Sequence, residues 1–291
     1  MNTRVAIKFV RSDNLAFIIG DSSSQQSSMF GITAIDGIES PGFEIFTQSR
    51  GSGDGNIITG KRVKSREINI TASVFAPLHN EKARAETESF FNPKHSYKLY
   101  VTYHSVERWI QAELYNFRIN QSSLYEPLEI ELTFLAAEDP YFNSVDEFGQ
   151  DIAGIEPRFH FPYEDDPATG FVVDVRLFAD TVVVENSGDV PTQCRFVLRA
   201  SDTVINPKII HGDAYIRIID TMERNDEYII DLTADCRIIK NGENYFRKID
   251  KTSDFEGMAF TPGDNTIEYD ADEGKIYLSV TPYYYKKYLG V

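Results

Sequence analysis

Basic residues are in short supply along this 291-residue chain. Lys and Arg number 29 against 45 Asp and Glu, a formal charge of -16 that would repel a phosphate backbone over most of the surface, so stable binding of DNA or RNA is not expected. Long apolar runs are also missing. The opening stretch, Met1 to Gly20, holds no hydrophobic run of signal-peptide length, and no later segment approaches the roughly 20 apolar residues that span a bilayer. Membrane insertion is therefore not expected, and the chain is expected to remain in the cytosol where it is made until lysis releases it. Cysteine is limited to Cys194 and Cys236, each inside strand-like text, and both read as small reduced core residues rather than a disulfide. Trp109 is the sole tryptophan.

The chemistry of catalysis is equally sparse. His79, His95, His104, His160 and His211 are scattered, with no zinc-like spacing to another His or Cys. No Gly-Lys-Ser or Gly-Lys-Thr follows a strand, which removes the phosphate cradle, and no Gly-x-Ser-x-Gly elbow is present. Asp270-Ala271-Asp272-Glu273-Gly274 alternates like a calcium loop but lacks the distant bidentate Glu, so a charged hairpin tip is the better reading. Glu164-Asp165-Asp166 could pair with another acid for glycoside hydrolysis, yet a chance pair is expected in so acidic a chain. No catalytic residue, metal ligand or cofactor is assigned, and the chain is not expected to be an enzyme.

What is present is aromatic and β-branched text. Phe and Tyr number 20 and 16, which favours strands, where flat rings pack across the pleat. Val5 to Ile19 reads as an opening strand pair turning at Arg11-Ser12-Asp13-Asn14, followed by a Ser/Gln-rich loop at 22–28. Arg66 to Phe75 alternates Ile68, Ile70, Ala72 and Val74 against Glu67, Asn69, Thr71 and Ser73. Before it, Arg50-Gly51-Ser52-Gly53-Asp54-Gly55 carries the Asp-Gly signal of a hairpin. One helix interrupts the strands, with Asn80 as its expected cap, Ala83, Thr87, Phe90 and Phe91 near one face, and Pro93 as its stop. Further strands follow at Tyr97 to Tyr103, Arg108 to Leu114 and Leu128 to Leu135. In the last of these Leu128, Ile130, Leu132 and Phe134 oppose Glu129, Glu131 and Thr133, and pairing is expected to stop at Pro140, which lacks a backbone N–H.

After Phe142 the text turns acidic and is broken by Pro157, Pro162 and Pro167. Strands return from Thr181: Val182 to Glu185, Arg195 to Arg199, Tyr215 to Ile219, Tyr228 to Leu232, Arg237 to Lys240, Thr266 to Tyr269 and Lys275 to Val280, with Asn241-Gly242 as a two-residue turn of the primed type. Many short strands with evenly spaced turns predict a β-sandwich or jelly roll. The expected organisation is a first domain over 1–142, an acidic Pro-containing connector over 143–180 and a C-terminal β-sandwich over 181–291, whose last strand could pack back on the first domain.

Several motifs occur in a telling order. The corner Glu138-Asp139-Pro140-Tyr141-Phe142 ends an alternating strand, Asn92-Pro93-Lys94 precedes another, and Tyr288-Leu289-Gly290-Val291 closes the chain. Val184 to Thr192 has the form of an entry strand and turn, and Pro262-Gly263-Asp264-Asn265 of a turn before late strands. In that order the chain resembles the distal tail proteins of long-tailed phages and prophages, the Dit family. The resemblance implies a mostly β protein: an N-terminal β-sandwich-like ring-forming domain with one helix and a β-hairpin arm, and a C-terminal jelly-roll or galectin-like sandwich. It also implies a structural role as a hexameric ring in the tail tip or baseplate of the virion, assembled in the host cytoplasm. Its partners would be further copies of itself, the tail tube protein, a tail-associated tip protein and receptor-binding proteins.

Two sets of candidate residues follow. The hairpin Arg50, Gly51, Ser52, Gly53, Asp54, Gly55, Asn56, Ile57, Ile58, Thr59 and Gly60 is a candidate intersubunit arm, with Gly51, Gly53 and Gly55 as a flexible root; a mobile surface loop is the plainer alternative. Should the chain instead be a carbohydrate-binding module for host glycans, Trp109, Tyr283, Tyr284 and Tyr285 are the candidate aromatic platform.

Overall fold

A computed structural model describes residues 5–20, 29–75, 77–123, 125–149, 152, 154–157, 174–177, 181–233 and 236–291. The chain is mostly β and divides into two units, residues 1–145 with 287–291 and residues 146–286. The chain thus leaves the first unit at Val145 and re-enters it at Lys287.

In the first unit the strands are β1 (Val5–Arg11), β2 (Ala16–Gly20), β3 (Phe30–Asp36), β4 (Phe43–Ser49), β5 (Asn56–Val63), β6 (Arg66–Val74), β7 (Ser96–Tyr103), β8 (Val106–Asn120), β9 (Glu129–Ala136) and β10 (Phe142–Ser144). The antiparallel sheet runs in the order β2-β1-β7-β8-β9-β6-β3. Its two end strands approach each other, close enough that a Cβ on Gly20 would stand 3.0 Å from Ile32 Cδ1 and 2.4 Å from Val5 O. With φ at +92°, Gly20 takes a turn that only glycine tolerates there. β9 shows why the alternating text works. Ile130, Leu132 and Phe134 are buried at 0 to 1% exposure, while the polar residues between them bond across the outer face, Thr133 Oγ1 to Asn69 Oδ1 at 2.9 Å and Asn120 Nδ2 to Glu131 Oε1 at 2.7 Å.

The helix α1 (Asn80–Phe90) covers this core with Ala83, Thr87 and Phe90, joined by Phe91 just beyond it. Phe91 meets Phe9 edge-on at 5.3 Å and Phe90 at 5.1 Å, and Phe9 stacks on Phe134 at 5.3 Å. Asn80 does not cap the helix. It is the first helical residue, is buried, and donates to Glu126 O (2.8 Å) while accepting from Leu128 N (2.9 Å), so its amide fastens the helix to the start of β9. The helix end is served from outside by Arg11, which donates to Phe90 O at 2.9 Å and Ser89 O at 3.2 Å, the place where a cation suits the helix dipole.

β8 is longer than the sequence suggests, starting at Val106 and continuing to Asn120 past an irregularity between Leu114 and Asn116. Pairing does not end at Pro140 either. After β9 the corner turns and β10 rejoins the same sheet, pairing β8 on one side and Lys287–Tyr288 on the other. The β9 ladder already ends at Ala136, before the proline, and two residues after Pro140 the backbone joins another strand pair.

In the second unit, six strands order as Phe148–Gly149, Leu278–Tyr284, Cys194–Ala200, Glu227–Asp231, Arg237–Lys240 and Glu243–Asn244. Four more order as Thr181–Asn186, Gly263–Asp270, Lys208–His211 and Ala214–Arg217. Their inward residues, among them Phe196, Tyr228, Val280, Val184, Ile216 and Tyr269, share one core, which is the organisation of a sandwich. Asn241 and Gly242 both take positive φ, 48° and 90°, as a primed hairpin turn demands. Lys275–Tyr277 is a short 3-10 turn rather than the start of a strand. Lys208–His211, a central strand, escaped the sequence reading because Ile209 and Ile210 sit in too short a run to show a period. Both cysteines are free thiols, Cys194 fully buried beside Met258 O and Cys236 half-buried. Most of the acidic connector, including Glu164-Asp165-Asp166 and His160, lies outside the described residues.

Candidate functional site

Among the described residues β4 and β5 pair with each other and with no other strand. The register sets Phe43 opposite Val63, Ile45 opposite Lys61, Phe46 opposite Gly60 and Thr47 opposite Ile58, with a bulge after Phe46. Cross-strand partners share a face, and side chains alternate along each strand. One face therefore carries Phe43, Val63, Ile45 and Ile58, and the other Phe46 and Ile57. All six are exposed, from 37% at Val63 to 68% at Phe43. Polar contact on the hairpin is modest: Arg62 Nε bonds Glu44 Oε2 at 3.1 Å and its guanidinium lies 5.5 Å from the Phe46 ring.

A two-stranded ribbon bare on both faces is marginal by itself in water, and these six side chains are the sort that a protein buries. The strands extend well beyond the glycine-rich run. Arg50 to Gly55 form the loop at the tip, with Gly53 and Gly55 at positive φ, whereas Asn56, Ile57, Ile58, Thr59 and Gly60 belong to β5. The glycines are not the root. The root is Gly37 to Gly42 on one side and Lys64 on the other, where Lys64 N donates to Gly42 O at 2.8 Å. Sequence reading missed β4 because Phe43 to Ser49 lacks strict alternation, Ile45 and Phe46 being adjacent.

The aromatic candidates fall in different units. Trp109 belongs to β8 of the first unit, between Tyr100 at 6.5 Å and the Lys98 ammonium at 4.6 Å. Tyr283, Tyr284 and Tyr285 belong to the second. Tyr284 is buried and donates to Glu185 O at 2.9 Å, and Tyr283 lies 5.0 Å beneath the Arg195 guanidinium, so the strand's alternation turns the middle ring inward. Three rings in a row do not make one platform.

Titratable groups in the second unit are engaged with one another. Asp272, in the calcium-like run, accepts from Asn206 (2.7 Å) and Arg217 (2.6 Å). Lys240 reaches Asp220 and Asp226, each at 3.0 Å, and Tyr228 donates to Asp220 at 2.6 Å. Burial by itself would raise Asp220, but hydrogen bonds from Tyr228, Lys240 and Lys248 outweigh it and hold the carboxyl at about 2. Among the described residues no group of three or more His, Cys, Asp or Glu gathers as a metal site. Among the described residues, a groove lined by Val5, Gly20, residues 31–35 and Phe75 contains no titratable side chain.

Residues 187–288 match the family model of the siphovirus-type tail component, C-terminal domain. Over 97% of this chain and 98% of the other, the fold is similar to the Dit protein of phage SPP1, described as a paradigm of the hub adsorption apparatus in phages infecting Gram-positive bacteria, with a TM-score of 0.65 at 13% identity. It is similar as well to a chain of the phage P2 baseplate in its activated conformation with Ca, with a TM-score of 0.53 at 9% identity and 98% of both chains covered. No curated protein sequence matches.

Proposed function

We propose that this chain, a Dit-type distal tail protein by its matched C-terminal domain and its whole-chain fold, is the structural hub of a phage or prophage tail tip, closed into a hexameric ring by its first unit. The observation that carries the ring is the hairpin β4–β5, whose apolar residues face water on both sides in a single copy. A head-to-tail interface repeated around an axis would bury the hairpin of each copy against the next and leave none bare. Fully burying one Phe or Ile side chain contributes about 1.5–3 kcal/mol, so several per interface are enough to drive closure.

In this role the ring joins the tail tube to the tail-tip and host-recognition proteins, and the second unit offers the surface for the latter. The protein acts in the virion tail tip after assembly in the host cytoplasm, binds no nucleic acid stably and catalyses nothing. A placement of the 143–180 segment between ring and second domain suits the same organisation.

Light scattering and negative-stain imaging of the full chain test the proposal, with rings of one size as the expected result. Joining Gly42 to Lys64 through a short turn in place of the hairpin should leave a folded subunit that stays monomeric. Rings formed normally by that shortened chain would refute the arm, and a full-length chain that never assembles, even with tail proteins added, would refute the hub.

A further inference from the structure

The root of the hairpin is held by groups remote from it in sequence. Arg66, only 2% exposed, donates through Nη1 to Gly37 O at 2.8 Å and Glu39 O at 2.6 Å, both in the segment that leads from β3 into β4. The same guanidinium donates to Pro140 O at 2.6 Å and to Leu289 O at 2.5 Å, and lies 4.7 Å from the Phe142 ring. The returning segment then touches the root directly. Val291 N donates to Ile38 O at 3.0 Å, and a Cβ on Gly290 would stand 2.9 Å from that same oxygen. Arg108 donates to Gly290 O and its guanidinium sits 3.5 Å from the Tyr288 ring, while Lys287 pairs with Asp139 at 2.7 Å.

We propose that Arg66 and the returning segment 287–291 form a clasp that sets the direction in which the hairpin leaves the first unit, making Arg66 a positioning residue for assembly. The inference rests on the assembly reading of the hairpin. A ribbon on which no second layer packs among the described residues is aimed by its root. Gly37, at φ +86° with no room for a Cβ against Glu67 O, allows the sharp turn into that root, and the tied carbonyls keep the turn from swinging. Arginine suits the task because its rigid fork offers five N–H groups in one plane, which serve several carbonyls at once; a lysine ammonium has neither the span nor the planarity. Burial lowers the Arg66 guanidinium to about 10, which leaves it cationic at neutral pH. Lys287 follows directly on Lys286, the last residue of the second unit, so a load carried along the chain at that point meets the clasp first.

Hydrogen exchange read by mass spectrometry on the full chain tests the clasp, comparing wild type with Arg108→Met, Arg66→Lys and a form lacking Leu289 to Val291. Amides of β4, β5 and Lys64 should exchange about tenfold faster or more in each variant while those of β7, β8 and β9 keep their rates. The assembled fraction at fixed concentration should fall in parallel. Wild-type hairpin rates in all three variants would overturn the clasp. Equal acceleration throughout the first unit would do so too, by marking the segment as general support for the core, and an unchanged assembled fraction beside fast hairpin exchange would remove the positioning role. The hairpin-replaced chain separates this inference from the one beneath it: rings without the hairpin defeat the assembly reading, while exchange at 37–42 in that chain still reports whether the clasp holds the root.

Discussion

Strands β5 and β6 are separated only by Lys64 and Ser65, yet they meet opposite fates. In β6, Ile68 and Ile70 are buried at 0% and 1% exposure, flanked by β3 and β9 and roofed by the core. In β5, Ile57 and Ile58 remain 50% and 56% exposed, with β4 the one strand paired to it among the described residues. Local propensity does not separate them, since both strands hold isoleucine and threonine. What differs is the company each strand finds. β6 is buried within one copy, whereas β5 leaves its isoleucines facing water.

The sharpest way to break this comparison is to remove the side chain that joins its two halves. Arg66 opens β6 and ties down the root of the hairpin, so Arg66→Leu removes one hydrogen bond from each of the carbonyls of Gly37, Glu39, Pro140 and Leu289. At about 1 kcal/mol for each hydrogen bond lost, the first unit should lose on the order of 4 kcal/mol in urea unfolding. A loss below about 1 kcal/mol would mean that water serves those carbonyls just as well. Next comes Ile70→Ala in β6, expected to lower stability by about 3 kcal/mol through the cavity it leaves in the core.

A smaller effect concerns the second unit and serves as a control on its independence. Asp220 has its folded pKa depressed to about 2, so its contribution is present above the unfolded value near 3.8 and is lost as pH falls through about 2. Acid titration from pH 5 to 2 should cost the second unit about 2 kcal/mol, and Asp220→Asn should flatten that slope. If the slope persists in the Asn variant, the charge pair with Lys240 is not its source. The smallest expected effect completes the comparison. Ile58→Ala makes the same substitution in β5 as Ile70→Ala makes in β6, and should change subunit stability by less than about 0.5 kcal/mol while weakening assembly. Destabilisation of the isolated subunit equal to that of Ile70→Ala would show that β5 is already packed.

Much of the sheet was readable in advance where side chains alternate over a long run. Arg66 to Val74 and Leu128 to Phe134 show this, because period two is written in neighbouring residues and one buried face enforces it. The glycine-dense loop from Arg50 to Gly55 was also visible as a hairpin signal, since positive φ has so few donors. The extent of the hairpin was not. Ile45 and Phe46 stand side by side and obscure the period, so β4 disappears into mixed text and the tip was mistaken for the root. Asn80 looked like a cap on type and position alone, but Glu126 and Leu128 claimed its amide. Arg66 gave no signal, since its four acceptors lie between 27 and 223 positions away.

By itself the sequence settled the class: a mostly β chain with one helix over its first strands and a run of short strands later, and motif order that pointed to the tail-component family. Those properties are local, set by periodicity, turn residues and composition, and they survive without any knowledge of what lies across the fold. Tertiary structure alone decided which apolar strands would be buried and which left bare, and how a segment at 287–291 came to brace a turn at 37–42. Burial depends on partners brought together by closing long loops. A residue's neighbours in sequence carry no record of the carbonyls or rings it will meet there.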